Sequence, residues 1–200
     1  TALAMVLADN GHDVRLWGND AAQIEEINQT HMNEKYLSDI ELPKAIVGYT
    51  NLADALDDVD TVILAVPTKA IREVVQKINA QAKQPLTVVH VSKGIEPDSL
   101  LRISEIIEQE RDTDKITNIV VLSGPSHAEE VSRYIPTTVV AGAKSRKTAE
   151  KIQQIFMNEA FRVYTSPDML GIEICGALKN VIALAAGITD GLGFGDNTKA

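Results

Sequence analysis

The sequence predicts an α/β protein, a doubly wound, mostly parallel sheet with helices on both faces, followed by the start of an α-helical domain. Three observations carry this. Short, continuously apolar runs recur through the first 165 residues, and stretches with apolar residues at helical spacing lie between them. Strand–helix alternation of this kind is the pattern of a parallel sheet buried on both faces. Beyond residue 165 the rhythm stops and one long apolar helical stretch takes over. Finally, 200 residues with 44% hydrophobic and 24% charged side chains supply enough apolar surface for a sizeable core.

Taken in order, residues 1–8 read as a helix closed by Asp9-Asn10-Gly11, residues 14–17 as a strand, and residues 20–29 as a second helix. Residues 61–66 are apolar throughout, the mark of a strand covered on both faces, and Pro67 stops it. An amphipathic helix over 70–80 carries Ile71, Val74, Val75 and Ile78 on one side. The strand 86–91, a helix over 97–109, strands at 118–122 and 137–141, a helix over 145–157 and a strand at 161–165 complete the alternation. Ser166-Pro167-Asp168 is a helix-start signature with proline in the first turn, and it opens a helix over 170–188. A domain boundary is expected there, with residues 1–165 as the sheet domain and 166–200 as the beginning of the helical one.

Charge narrows the function classes. The chain carries 28 acidic and 19 basic residues, a net charge of −9, which argues against nucleic acid as a partner. Small anionic ligands remain open, because two or three local donors suffice to hold them. The single cysteine, Cys175, excludes a disulfide within the chain and fits a reducing cytoplasm. No uninterrupted apolar run reaches the roughly 18 residues of a membrane span, so none is expected. Residues 1–8 also lack the basic region of a signal peptide. The histidines His12, His31, His90 and His127 show no metal-ligand spacing, and no metal is expected.

In open α/β sheets ligands bind at the carboxyl ends of the strands. Three such ends carry compact polar turns: Val66-Pro67-Thr68-Lys69, Ser92-Lys93-Gly94-Ile95-Glu96 and Ser123-Gly124-Pro125-Ser126-His127-Ala128-Glu129. Each taken alone is an ordinary turn; three on one sheet edge suggest a ligand site. Lys93 is placed there to meet a phosphate, and His127 reads as a solvated or helix-capping residue. In the last long helix Gly176, Lys179, Asn180, Ala183 and Gly187 share one face, an amine and an amide among small residues. Lys179 either snorkels to water or is desolvated toward a pKa useful in proton transfer. Gly191-Leu192-Gly193-Phe194-Gly195 follows a helix rather than a strand, which excludes it as a dinucleotide loop.

These motifs carry a resemblance. Asn33-Glu34-Lys35-Tyr36-Leu37, Ser92-Lys93-Gly94-Ile95-Glu96, Gly124-Pro125-Ser126-His127-Ala128-Glu129, Gly176-Ala177-Leu178-Lys179-Asn180-Val181 and Gly191-Leu192-Gly193-Phe194-Gly195-Asp196-Asn197-Thr198-Lys199-Ala200 resemble the bacterial NAD(P)-dependent glycerol-3-phosphate dehydrogenases. The resemblance runs along the whole chain, in the family's order. It implies a Rossmann domain over 1–165 and the beginning of a helical substrate domain over 166–200. The implied activity is an oxidoreductase interconverting sn-glycerol 3-phosphate and dihydroxyacetone phosphate with NAD or NADP. The implied setting is a cytoplasmic homodimer that feeds glycerophospholipid synthesis.

Position by position, the resemblance implies that Lys179 is the proton acceptor and touches substrate. Lys93 is implied as shared by cofactor and substrate, Gly124 and Ser126 as substrate contacts, and Ala128 as lying against the cofactor. Asn19 and Tyr36 are implied near the adenosine half of the dinucleotide. The family's Gly-x-Gly-x-x-Gly loop and first strand would fall upstream of Thr1, and its later Asp and Ser-Arg-Asn segment beyond Ala200. An internal stretch of the enzyme with little activity of its own is therefore expected. Ser38 stands where the family usually has proline. Two alternatives are a related β-hydroxyacid-type dehydrogenase and a non-catalytic nucleotide-binding module. Gly-Pro-Ser-His and Gly-Phe-Gly-Asp-Asn-Thr-Lys argue against the first of these.

NAD-specific Rossmann folds usually end the second strand with a carboxylate for the ribose 2′-hydroxyl. Here that stretch is Trp17-Gly18-Asn19, with Asp20 one residue later. A neutral Asn19 accommodates either a hydroxyl or a 2′-phosphate, so the complete enzyme is expected to use NADP as well as NAD. Steady-state kinetics with both cofactors check this, and a preference for NAD beyond about a thousandfold, roughly 4 kcal/mol, contradicts it.

Overall fold

The computed structural model describes residues 1–199. Helix α1 (Ala2–Asp9) leads into β1 (Val14–Trp17), α2 (Ala21–Thr30), β2 (Ile46–Tyr49) and α3 (Leu52–Ala55). Then come β3 (Thr61–Leu64), α4 (Ile71–Gln81), β4 (Leu86–His90), α5 (Ile103–Glu110) and β5 (Ile116–Ser123). The chain continues through α6 (Ala128–Val131), β6 (Thr137–Ala143), α7 (Arg146–Phe156) and β7 (Phe161–Ser166) to α8 (Met169–Gly191) and α9 (Asp196–Lys199). Strands β1 and β2 pair in parallel, and a five-stranded sheet runs in the order β3-β4-β5-β6-β7.

Strand β4 shows how the sheet is buried. All five of its residues are buried, and successive side chains point to opposite faces. Val88 packs with Ile71, Val75 and Ile78 of α4 and Ile103, Ile106 and Ile107 of α5. Its neighbour Val89 packs on the other side with Met5 of α1, Ile152 and Phe156 of α7, and Val120 of β5. Helices thus cover both faces, as the apolar runs predict. The four apolar positions predicted on α4 are all buried.

The structure departs from expectation in several places, each with a physical reason. Of β3, only Leu64 is fully buried, because β3 is the outer strand of its sheet rather than an interior one. Strands β5 and β6 run antiparallel. The thirteen residues between them hold one short helix, α6, and no long crossover helix of the kind that usually joins parallel strands. Residues 97–102 are not helical: Leu100 takes a positive φ of 58° and Ile95 bridges back to Arg102. Helix α5 starts at Ile103, where the Glu105 carboxylate accepts a hydrogen bond from the Arg102 N–H at 3.0 Å. Strand β2 is interrupted by Gly48 and has no continuous apolar run, and the four residues of α3 are too few to show a helical period, so neither is predicted from the sequence. Pro167 precedes the Asp168 N-cap of α8 instead of entering the first turn. Residues 196–199 form the short helix α9.

Helix α8 is long and apolar enough to cross a membrane by length and composition. It has 23 residues, and its most apolar 18-residue window has a mean hydropathy of 1.6. Glu173, Lys179 and Asn180 interrupt it, which is why counting uninterrupted apolar residues misses it. Its first turns lie on the sheet over Gly142 of β6. A Cβ added at Gly142 would come within 2.6 Å of Ile172 Cδ1 and 2.8 Å of Val121 Cγ1. Gly142→Ala should therefore lower stability by about 1–3 kcal/mol, the usual cost of overpacking a filled interior. Urea unfolding checks this, and an unchanged midpoint would mean that Ile172 simply swings aside.

Candidate active site

Strands β3, β4 and β5 are mutually parallel, so their carboxyl ends fall on one edge of the sheet. Side chains knit the turns beyond them together. Ser92 Oγ donates to the Val66 carbonyl oxygen at 2.5 Å, and Thr68 Oγ1 donates to the Lys93 carbonyl oxygen at 3.5 Å. Gly94 takes a φ of +137°, and a Cβ there would stand 3.1 Å from Thr68 Oγ1. Glycine is the residue that tolerates both the conformation and the approach.

Arg72 of α4 fastens the Lys93 turn from behind. Its Nε and Nη2 donate to the two Glu96 carboxylate oxygens at 2.8 and 2.7 Å, and its Nη1 donates to Glu110 of α5 at 2.6 Å. Hydrogen bonds from Arg72, then from Ser99, pull the Glu96 carboxyl down to about 2. Two-pronged guanidinium–carboxylate pairing fixes geometry as well as charge. Lys93 is thus carried on a braced loop.

Helix α8 closes the site from the other side. Its Asp168 N-cap accepts from the Gly171 N–H at 2.8 Å. Glu173 is buried: Ser104 donates its backbone N–H to Oε1 at 2.8 Å and its hydroxyl to Oε2 at 2.6 Å, and Arg102 Nη1 donates to Oε2 at 2.5 Å. His90 Nε2 lies 3.2 Å from Oε1, in contact without a directed hydrogen bond. Burial raises the Glu173 pKa, but the contacts with His90 and Ser104 outweigh it and hold the carboxyl below the usual glutamate range. One turn further along, a Cβ at Gly176 would stand 3.0 Å from Ser123 Oγ and 3.8 Å from Lys93 Cγ. Here the helix meets the ends of β4 and β5.

Lys179 and Asn180 follow immediately, with Lys179 Nζ donating to Asn180 Oδ1 at 2.8 Å. Burial lowers the Lys93 ammonium below the ordinary lysine range, and the like charge of Lys179 pushes it further. Both lysines are exposed side chains, which for Lys179 is the solvated one of the two alternatives that the sequence leaves open. Among the described residues neither lysine pairs with a carboxylate.

The other predicted site residues are placed as follows. Ser126 and the exposed Ala128 lie beyond β5, Ala128 as the first residue of α6. Gly124 has a packing reason of its own, since a Cβ there would come within 2.6 Å of the Thr138 carbonyl oxygen. His127 is exposed, with Nδ1 2.6 Å from Glu129 Oε2, and its side chain makes no capping bond to α6. Asn19 is exposed after β1, in the separate two-stranded sheet. Tyr36 is exposed on a loop that Lys35 draws toward the start of α2 through Asp20, 3.3 Å away. Buried Asn33 holds the same loop, accepting from Gln23 Nε2 at 2.9 Å and donating to Thr1 Oγ1 at 2.7 Å. The structure therefore brings Lys93, Ser123, Gly176 and Lys179 together, and keeps Asn19 and Tyr36 in a second group.

Sequence reasoning missed Glu173 and its partners His90, Arg102 and Ser104. The signal was present. A lone carboxylate in an apolar helix, three residues before Gly176 on the same face, needs a buried partner.

A parallel-dominated sheet flanked by helices, whose strand ends meet the long helix α8, defines a Rossmann-like α/β protein. Within that class the chain belongs to the NAD-dependent glycerol-3-phosphate dehydrogenase family. The family's N-terminal model matches residues 1–149 and its C-terminal model residues 168–200. A glycerol-3-phosphate dehydrogenase [NAD(P)+] of Bacillus thuringiensis (strain Al Hakam) is 60% identical over all 200 residues, and the chain spans 59% of that relative's length. The crystal structure of glycerol-3-phosphate dehydrogenase from Coxiella burnetii matches with a TM-score of 0.86 and 32% identity, over 99% of this chain and 60% of that one. A Saccharomyces cerevisiae glycerol-3-phosphate dehydrogenase structure matches with a TM-score of 0.87 and 27% identity, over 100% of this chain and 62% of that one.

The Arg72–Glu96 brace carries a pH signature. A carboxyl held at about 2 contributes stability that is fully present above its ordinary value of 4.5 and is lost as pH falls toward 2. Glu96→Gln should therefore cost most above pH 5, and its difference from the parent should shrink toward pH 2. Urea midpoints measured across that range check this; a constant difference would mean that the pair contributes through shape alone.

Proposed function

We propose that the full-length protein interconverts sn-glycerol 3-phosphate and dihydroxyacetone phosphate, with NAD or NADP as hydride carrier. One observation carries the reading: two lysines, on the turn after β4 and on α8, lie near each other, and among the described residues neither pairs with a carboxylate. Such a pair, in a chain of net charge −9, calls for a small anion. A phosphate ester with a neighbouring hydroxyl suits it.

The residues also fit a dinucleotide. At the end of β1 the Asp20 carboxylate is engaged, accepting from the Gln23 N–H at 3.3 Å and pairing with Lys35. That leaves neutral Asn19 as the polar side chain free to meet a ribose, with or without a 2′-phosphate. Asn19 and Tyr36 would hold the adenosine half, and Ala128 and Lys93 the nicotinamide half. The bound cofactor supplies hydride acceptance and donation.

The chain supplies positioning and proton transfer. Lys93, on its braced turn, acts as the fixed cation for the phosphate, with Gly124 and Ser126 beside it. Lys179 accepts the hydroxyl proton at Nζ when glycerol 3-phosphate is oxidised and returns it to the carbonyl oxygen in the reverse direction. Asn180 orients Lys179 Nζ through its Oδ1.

The same reading divides the chain at the last residue of β7, into a dinucleotide-binding domain over 1–165 and the beginning of a substrate domain over 166–200. It also takes the enzyme as a cytoplasmic homodimer supplying glycerophospholipid synthesis, without nucleic acid or membrane insertion. The Glu173 anchorage supports an α8 packed against protein rather than lipid. Site-directed variants of the full-length enzyme test the roles. Lys179→Met should cut kcat by about a hundredfold or more, the scale of general-base catalysis, with cofactor binding nearly unchanged. Lys93→Met should chiefly raise KM for substrate and cofactor. Near-normal turnover of Lys179→Met at saturating substrate would reduce Lys179 to a surface residue and overturn the mechanism.

A further inference from the structure

We propose that Glu173 is a positioning residue whose buried carboxylate sets the rotation and height of α8, and thereby where Lys179 stands relative to Lys93. The inference rests on the functional reading above and extends it to a residue that touches neither substrate nor cofactor.

Around Glu173, α8 meets the sheet mostly through side chains that do not specify one register. Ile172 lies over Gly142, and Gly176 lies against Ser123. Apolar and small-residue contacts tolerate a slide or a few degrees of roll, whereas hydrogen bonds fail steeply with misalignment. Glu173 alone in this stretch makes three hydrogen bonds to the sheet domain, two from Ser104 and one from Arg102. Both oxygens are engaged, so translation and rotation are constrained together. Arg102 is itself held by Glu105 at 2.8 Å.

Placement makes this grip specific. His90, which touches Glu173, is three residues before Lys93 on β4 and its following turn. Lys179 lies six residues beyond Glu173, about 9 Å along the helix. The strand carrying one lysine and the helix carrying the other are thus joined at Glu173, next to where the lysines diverge. Adhesion alone does not explain a carboxylate here. A well-packed apolar side chain of similar size commonly serves stability as well as a buried ion pair or better, while the charged group supplies direction.

The test uses full-length Glu173→Gln, which keeps the shape but loses the charge and one acceptor. We expect kcat to fall tenfold or more per folded enzyme, KM for the cofactor to stay within twofold, and no further loss when Glu173→Gln is added to Lys179→Met. Turnover within twofold of the parent, whatever happens to Tm, overturns the proposal, and so does a fully additive loss in the double variant. A readout independent of catalysis follows the 13Cε shift of Lys93 against pH in cofactor-free protein grown on labelled lysine. With Lys179 displaced, the Lys93 titration should move up toward an ordinary lysine; an unmoved titration overturns the proposal. If Lys179→Met proves fully active, the general-base reading alone fails, and the Lys93 titration decides the positioning role. Should Glu173→Gln not fold, Ser104→Ala removes one of the same hydrogen bonds and carries the same comparisons.

Discussion

Placing one carboxylate inside the protein is the constraint from which the geometry of the site follows. Glu173 lies in an otherwise apolar stretch of α8, and burying its charge without partners would cost several kcal/mol. Two donors from Ser104, one from Arg102 and the adjacent His90 ring remove most of that penalty. Their requirements place the start of α5, the end of β4 and the second turn of α8 in one arrangement. Gly142 and Gly176 then let the helix settle without obstruction. Chemistry at the strand ends inherits this arrangement.

A second constraint is electrostatic. Basic side chains elsewhere on the sheet domain are largely spoken for: Arg72 by Glu96 and Glu110, Lys77 by Glu73, Lys83 by Asp57, Arg111 by Glu108 and Lys151 by Asp60. Lys93 and Lys179 are different in facing each other without a carboxylate. Their mutual repulsion is a standing cost in the free protein that a bound phosphate would relieve. The excess of acidic residues strengthens this reading, since counter-ions were available in the sequence and are absent from this spot.

Much of the fold was legible because buried parallel strands impose a simple demand, apolar residues on both faces. Residues 86–90 meet it and were recognisable for that reason, as was the amphipathic spacing of Ile71, Val74, Val75 and Ile78. Strand β2 is interrupted by Gly48 and offers no continuous apolar run like that of β3, and the four residues of α3 are too few to establish a helical period, so both were hidden. The antiparallel β5–β6 pairing depends on what the connecting segment can span, which neither strand records. At the site, strand-end turns and the lysine–asparagine pair were visible because polar residues in apolar runs stand out. Glu173 met the same criterion, but its significance lay in partners 69 and 71 residues away in sequence. Whether Lys179 is exposed or buried stayed open in the sequence, because an apolar helix read from sequence does not reveal which of its faces is covered.

That exposure sharpens what α8 does. Gly176 is where the helix presses against Ser123 and Lys93, and residues 181–188 are all exposed. Lys179 and Asn180 therefore stand just past the point where the helix leaves the strand ends, close enough to face Lys93 and free of the packing that would occupy their space. A reacting group in that position has room for substrate and little local restraint, so its orientation must come from the helix that carries it. A continuous α-helix transmits position well over two turns, at 1.5 Å per residue. A rigid grip on Glu173 and a bare approach at Gly176 thus solve one problem together: a lysine open to a ligand and yet fixed in space.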